Sequence, residues 1–255
     1  MTRRRLPLLC LCAVATVASC IQLSVDPKAI GSIEFVAPTN PSVVVGDTLR
    51  DASGRAERLR ANVYAADGAQ LTDIPVTFVN TDSLLKIVGG MVVTRRAVTG
   101  TAKLFAVAGG LQSISRSLDV ILRPDSIAPS RALDSVLYVP STSGTAIDTS
   151  RSVAVVVRSG STPVNSVRVA FSLERRGVVL AAGDTLTYAL LNALGRVSMV
   201  DTTDGAGVAS RIFRVRSTAG TVLRDTIVVR ATVALGGPPL GGAPATMTVV
   251  VRPKP

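Results

Sequence analysis

The sequence predicts an all-β protein, built as two tandem sandwiches behind a short N-terminal leader. Three observations predict it. Val, Ala, Thr, Ser and Gly dominate the 255 residues, aromatics make up 3%, and there is no Trp and no His. That composition suits short pleated strands and turns. Apolar residues recur with period two between turn-forming clusters, roughly every ten residues. The chain also shows a similar beginning, middle and end twice over, the mark of a duplicated architecture.

The leader comes first. "MTRRR" is a positive n-region, "LPLLCLCAVATV" (Leu6–Val17) is apolar, and Ala18 and Ser19 are small residues before Cys20. This is a secretory signal pattern, expected over residues 1–19. Twelve residues at helical rise cover about 18 Å, short of the roughly 30 Å hydrocarbon core of a bilayer. Val17–Ala18–Ser19–Cys20 resembles the lipobox of bacterial lipoproteins. The resemblance implies thioether lipidation of Cys20, cleavage before it and acylation of the new N-terminus. Several acyl chains on one residue anchor far more firmly than a single one, at about 0.8 kcal/mol per buried methylene. Cys10 and Cys12 would leave with the leader, so Cys20 would be the one thiol of the mature chain and no intramolecular disulfide is expected. Ile21 is not Asp, which by resemblance to enterobacterial sorting favours the outer membrane. Residues 20–31 read as a lipidated tether.

The first module is expected over 32–124 and the second over 132–253. "SIEFV" (Ser32–Val36) opens the first and "SVLYV" (Ser135–Val139) the second. "PVTFVN" (Pro75–Asn80) matches "VRVAFSLE" (Val167–Glu174), and "VILRP" (Val120–Pro124) matches "VVVRP" (Val249–Pro253). "RPDSIAPSRALD" (Arg123–Asp134) reads as the connector, because Pro124 and Pro129 break strand pairing. "RLRANVYAA" (Arg58–Ala66), "RSVAVVVRS" (Arg151–Ser159) and "DTIVVRATV" (Asp225–Val233) read as strands, and "LTYALLNAL" (Leu186–Leu194) as a strand plus loop. In "TTDGAG" (Thr202–Gly207), Asp204 is expected to bond forward to backbone N–H groups. Gly205 and Gly207 supply positive φ there, and Val208 and Ile212 return to the core. "GGPPLGGAP" (Gly236–Pro244) reads as a flexible hairpin loop.

These motifs resemble bacterial immunoglobulin-like (Big) domains. "SVVVGDTLR" (Ser42–Arg50), "IPVTFVNTDS" (Ile74–Ser83) and "GGMVVTRRAVTGTAKLFAVAGG" (Gly89–Gly110) are similar to group 2. "VRVAFSLE" followed by "TTDGAGVASRIFRV" (Thr202–Val215) resembles group 1, the type of invasin and intimin stalks. The resemblance implies Ig-like β-sandwich folds and is nearly silent on ligand.

Several functions are disfavoured. Without His there is no Ser–His–Asp or Cys–His system and no His-ligated metal. The Asp201–Asp204 spacing lacks the alternating ligands of a calcium loop, so neither metal nor cofactor is expected. Glu34, Glu57 and Glu174 are the candidate acids for a glycan-processing accessory role, but they are scattered along the chain, and no catalytic residue is assigned. The net charge is +11, with 28 Lys+Arg against 17 Asp+Glu. A chain starting at Cys20 loses Arg3, Arg4 and Arg5 and would stand at +8. The cations recur singly along strands, as at Arg151, Arg158, Arg211, Arg214 and Arg216, and read as solvated sheet faces. The alternative is an electrostatic tether to anionic envelope polymers. Nucleic acid is not expected as a partner, since no aromatic stacking surface exists. The expected partners are the membrane, through the N-terminal lipid, and an unidentified protein or glycan. The expectation is therefore a non-catalytic, lipid-anchored cell-envelope protein whose modules space or bind.

Overall fold

The computed structural model describes residues 29–142, 144–181 and 187–255. Every regular element among them is a strand. The first group is β1 (Ile30–Val36), β2 (Ser42–Val44), β3 (Arg60–Ala65), β4 (Gln70–Leu71), β5 (Thr77–Asn80), β6 (Leu85–Val88), β7 (Met91–Thr94), β8 (Gly100–Ala108), β9 (Leu111–Gln112) and β10 (Arg116–Ile121). The second is β11 (Ser126–Pro129), β12 (Leu133–Tyr138), β13 (Ile147–Ser159), β14 (Thr162–Pro163), β15 (Arg168–Arg175), β16 (Val178–Leu180), β17 (Tyr188–Leu191), β18 (Val200–Thr202), β19 (Val208–Ser217), β20 (Asp225–Thr232) and β21 (Ala245–Pro253).

The two groups share one wiring. In the first, β1 lies antiparallel to β3, β2 lies parallel to β10, and β10, β8 and β5 run antiparallel in that order. In the second, β11 lies antiparallel to β13, β12 lies parallel to β21, and β21, β20 and β15 follow antiparallel. β13 continues through β19 to β17. Among the described residues no ladder joins one group to the other. These are two tandem Ig-like β-sandwiches.

The wiring re-pairs one of the sequence matches. "SIEFV" is β1, against β3, whereas "SVLYV" falls in β12, whose counterpart is β2. The true partner of β1 is β11, within the stretch read as connector. Pro129 does not break that strand. It is the last residue of an edge strand, opposite Val155, where a missing N–H costs little. Both misread stretches alternate in the same way, and local alternation does not name the neighbouring strand.

Alternation sets the core. β8 buries Ala102, Leu104, Ala106 and Ala108, β15 buries Val169, Phe171 and Leu173, and β21 buries Ala245, Met247, Val249 and Val251. β19 is one residue out of the expected phase. It buries Ala209, Arg211, Phe213, Val215 and Ser217, while Val208 and Ile212 are only half-buried. Apolar residues stand on both faces of this strand, so its pairing decides which face turns inward. Phe213 then stacks on Tyr188 with ring centroids 6.0 Å apart. "LTYALLNAL" is a strand plus loop within the described residues, with β17 followed by a turn in which Asn192 Oδ1 accepts the Leu194 and Arg196 N–H groups.

Candidate functional site

The junction between the modules joins an apolar core to a ring of polar contacts. β2 and β10 deliver Val44 and Ile121 to the end of the first module. Both are buried, and both belong to the core of the second module together with Ile127, Val157 and Val164. Around them lies a polar ring. Ser42 Oγ donates to Ser166 O at 2.6 Å, and the Ser166 hydroxyl donates to Asp119, whose other oxygen accepts from Thr101 at 2.6 Å. Ser166 holds φ +57°, a conformation that non-glycine residues adopt at some cost. Arg123 Nη2 reaches Asp47 Oδ2 at 2.7 Å, and Arg50 Nη2 reaches Asp47 Oδ1 at 2.7 Å. Partial burial opposes ionisation of Asp47. Hydrogen bonds from Arg50 and the Thr48 N–H, with the charges of Arg50 and Arg123, outweigh it and hold the carboxyl below its ordinary range.

The "GGPPLGGAP" segment belongs to this junction and is not a free hairpin. Arg123 Nη1 donates to Gly236 O at 3.2 Å, and Leu235, Leu240 and Ala243 pack on the second core. Gly241 N donates to Asp125 O at 2.7 Å, and Ile127 N donates to Gly241 O at 2.9 Å. Gly236 has φ +68°, and a Cβ there would come within 2.5 Å of the Arg50 guanidinium. The positive φ requires the glycine, and its missing Cβ leaves room for the Arg50 side chain of the first module.

The far side of the second module carries an ionic cluster around the buried Asp225 carboxylate. Asp225 accepts from the Tyr188 hydroxyl at 2.5 Å and from Arg175 Nη2 at 2.8 Å, with Arg176 3.6 Å away. Burial, then the hydrogen bond to Asp225 and its charge, push the Tyr188 hydroxyl well above its ordinary range. Leu223 N donates to the buried Tyr138 hydroxyl at 2.6 Å. Arg211, expected on a solvated face, is instead buried. It pairs with Asp201 at 2.9 Å and donates to Ser210 O at 2.8 Å.

Cys20, the predicted lipidation residue, lies outside the described residues, as do Cys10, Cys12 and Leu186. The three candidate acids are each engaged by their own neighbours. Glu34 accepts from Asn62 and Tyr64, Glu57 from Thr39, and Glu174 from Arg230 at 2.6 Å. They sit on β1, in the β2–β3 connection and on β15, without a shared cleft. The Asp201 and Asp204 carboxylates are likewise occupied. Asp204 Oδ1 accepts the Ala206 and Val208 N–H groups, and Asp201 accepts Ser210 N–H and Arg211. Gly207 alone supplies positive φ in that turn, at +72°, and a Cβ there would come 2.6 Å from Val157 O. Among the described residues no three His, Cys, Asp or Glu are grouped to hold a metal ion.

A groove lies on the open side of the second sandwich, between β12 and β13. It measures about 350 Å³ and is floored by Val153, Met247 and Val249, with Arg131, Asp134 and Arg151 at its mouth. A second groove of about 340 Å³ continues it along Ser135–Leu137 and Thr149–Arg151. Asp134 joins the two. Arg151 Nε donates to it at 2.8 Å and Arg131 lies 3.9 Å away. These contacts, led by the Arg151 hydrogen bond, hold the Asp134 carboxyl below its ordinary range. Sequence reasoning did not find this groove, because its walls come from strands that belong to different sheets.

No protein-family profile and no curated protein matches the chain. Among solved structures it is similar to the Yersinia pseudotuberculosis adhesin InvE, at 16% identity and TM-score 0.32, over 88% of this chain and 59% of that one. It is similar to the Escherichia coli adhesin FdeC at 12% identity and TM-score 0.27, over 86% of this chain and 63% of that one. An endo-fucoidan hydrolase of glycoside hydrolase family 107 aligns at 10% identity and TM-score 0.33, over 88% of this chain and 34% of that one. The chain thus spans about three fifths of the InvE structure.

Proposed function

We propose that the chain is a lipid-anchored, non-catalytic protein of the bacterial cell envelope, whose two Ig-like modules hold a binding surface away from the membrane. The observation that carries the spacer role is the junction. Val44 and Ile121 of one module are buried in the core of the other, inside a ring of hydrogen bonds and the Asp47–Arg123 ion pair. Modules joined by a polar linker alone would move independently. An interface with a shared apolar core fixes their relation, which a spacer needs and a string of loose modules lacks. The anchor rests on Val17–Ala18–Ser19–Cys20 after the basic and apolar leader. The acids engaged one by one support a non-catalytic role. The outer membrane is the expected destination.

Metabolic labelling with an alkyne-tagged fatty acid tests the anchor. Wild-type protein should take the label and fractionate with membranes, and Cys20→Ser should lose both. An unlabelled wild type, or equal labelling of Cys20→Ser, overturns it. The second reading is the electrostatic tether. Arg55 and Arg58 are exposed, while Asp51 and Glu57 beside them are taken by Ser53 and Thr39. On that reading, retention by anionic polymers falls steeply with salt, because the screening length is about 10 Å at 0.1 M.

A further inference from the structure

We propose that the open side of the second sandwich accepts an extended, acidic peptide segment of a partner protein, added as a strand to the free edge of β13. This rests on reading the modules as a binding surface and names the place where they bind.

β13 is only half covered on this side. β11 pairs with residues Val155–Arg158 and stops at Pro129, while β19 pairs with β13 on the other side from Ile147 to Val156. Ser130 N donates to Ala154 O, and Asp125 N donates to Arg158 O. Even-numbered residues of β13 therefore direct their backbone groups to the β11 side. By the alternation of an antiparallel ladder, Ser152 and Ser150 present theirs on the same side, beyond the end of β11. The facing edge of β12 is blunted at Ser135. Thr248 N donates to Ala132 O and Lys254 N to Tyr138 O, so odd-numbered residues of β12 face outward, and the Ser135 N–H is taken by Asp134 Oδ1 at 2.8 Å. The two edges differ at this point: the Ser135 N–H of β12 is already bonded, and the Ser150 and Ser152 groups of β13 lie beyond the end of β11.

The gap is lined to receive a strand. The two grooves run end to end along residues 149–154 of β13. An incoming strand places alternate side chains between the sheets. One meets the apolar floor of Val153, Met247 and Val249. Another, two residues on, lies near Arg131 and Arg151. These two guanidiniums share the single carboxylate of Asp134, and the Arg131 side chain is 67% exposed. The mouth therefore favours an acidic side chain. Backbone bonds to Ser150 and Ser152 supply affinity, and the floor and the arginines supply selectivity.

The test is hydrogen exchange on the full-length protein with the probe acetyl-Thr-Val-Thr-Val-Thr-Glu-Thr-amide. Saturating probe should slow the Ser150 and Ser152 amides about tenfold, with the Val157 amide unchanged, because β19-side bonds are already made. Ser152→Pro should weaken binding about tenfold, since proline offers no N–H to the added strand. A probe with Lys in place of Glu should bind about fivefold more weakly, and Arg131→Ala, whose side chain is exposed, should erase that preference. No slowing at about 1 mM probe, or equal binding to Ser152→Pro, overturns the proposal. So does slowing of the same amides by raised protein concentration without probe, which would make the occupant a second copy of the chain. Failure here leaves the Cys20 labelling result, which tests the anchored-module reading, untouched.

Discussion

Ile121 tests whether the two modules are one folding unit at their junction. It ends β10, in the first module's sheet, yet it is 2% exposed and packs in the second module's core. Ile121→Ala removes three carbons, worth about 2.4 kcal/mol at about 0.8 per buried methylene. The residual cavity takes the cost into the range of about 2–5 kcal/mol. The transfer part alone, about 2.4 kcal/mol, is about a fifty-fold change in an opening equilibrium. Hydrogen exchange read by mass spectrometry assigns that change to strands. Ile121→Ala should speed exchange in β13 and β21 as well as in β10. Leu104→Ala removes the same number of carbons from a residue buried only in the first module's core, and it should speed β8 and β5 while sparing the second module. If Ile121→Ala speeds β10 and leaves β13 unchanged, the shared-core account of the junction is wrong.

Two further outcomes follow from the ion pairs. Asp47 is held below its ordinary value of 3.8, so its contribution is present above that pH and is lost as pH falls through the depressed value. Acid titration below about pH 4 should loosen the junction, and Asp47→Asn should flatten that acid dependence in thermal melts. Tyr188 is held above its ordinary 10.0, so its contribution is present below that pH and is lost as pH rises past it. Tyr188→Phe should cost about 1–3 kcal/mol in urea unfolding near neutral pH, because Asp225 loses a buried donor, and it should flatten the alkaline limb.

Much of this protein was legible as strings. The strands "VRVAFSLE", "RSVAVVVRS" and "DTIVVRATV" form where period two places them, and the Asp204 turn bonds as its residue types dictate. Local sterics and the pleat act over a few residues, so a few residues suffice to reveal them. The Cys20 motif is likewise a matter of sequence alone. The partners of those strands were not legible. "SIEFV" and "SVLYV" look alike and take different places in the sandwich, Pro129 closes an edge strand, and β19 turns Arg211 inward and Ile212 outward. In each case local preference is balanced, and long-range pairing breaks the tie. Gly236 is a loop glycine by its φ of +68°, but that Arg50 of the other module lies against it is visible only in the fold. The groove beside β13 exists only because β11 stops at Pro129 and the chain crosses to the opposite sheet. Sequence by itself determined most of the strands and the Asp204 turn, and it alone carries the expectation of a leader. The tertiary structure decided which edges stay open and what the junction buries, because those depend on residues distant in the chain meeting in space.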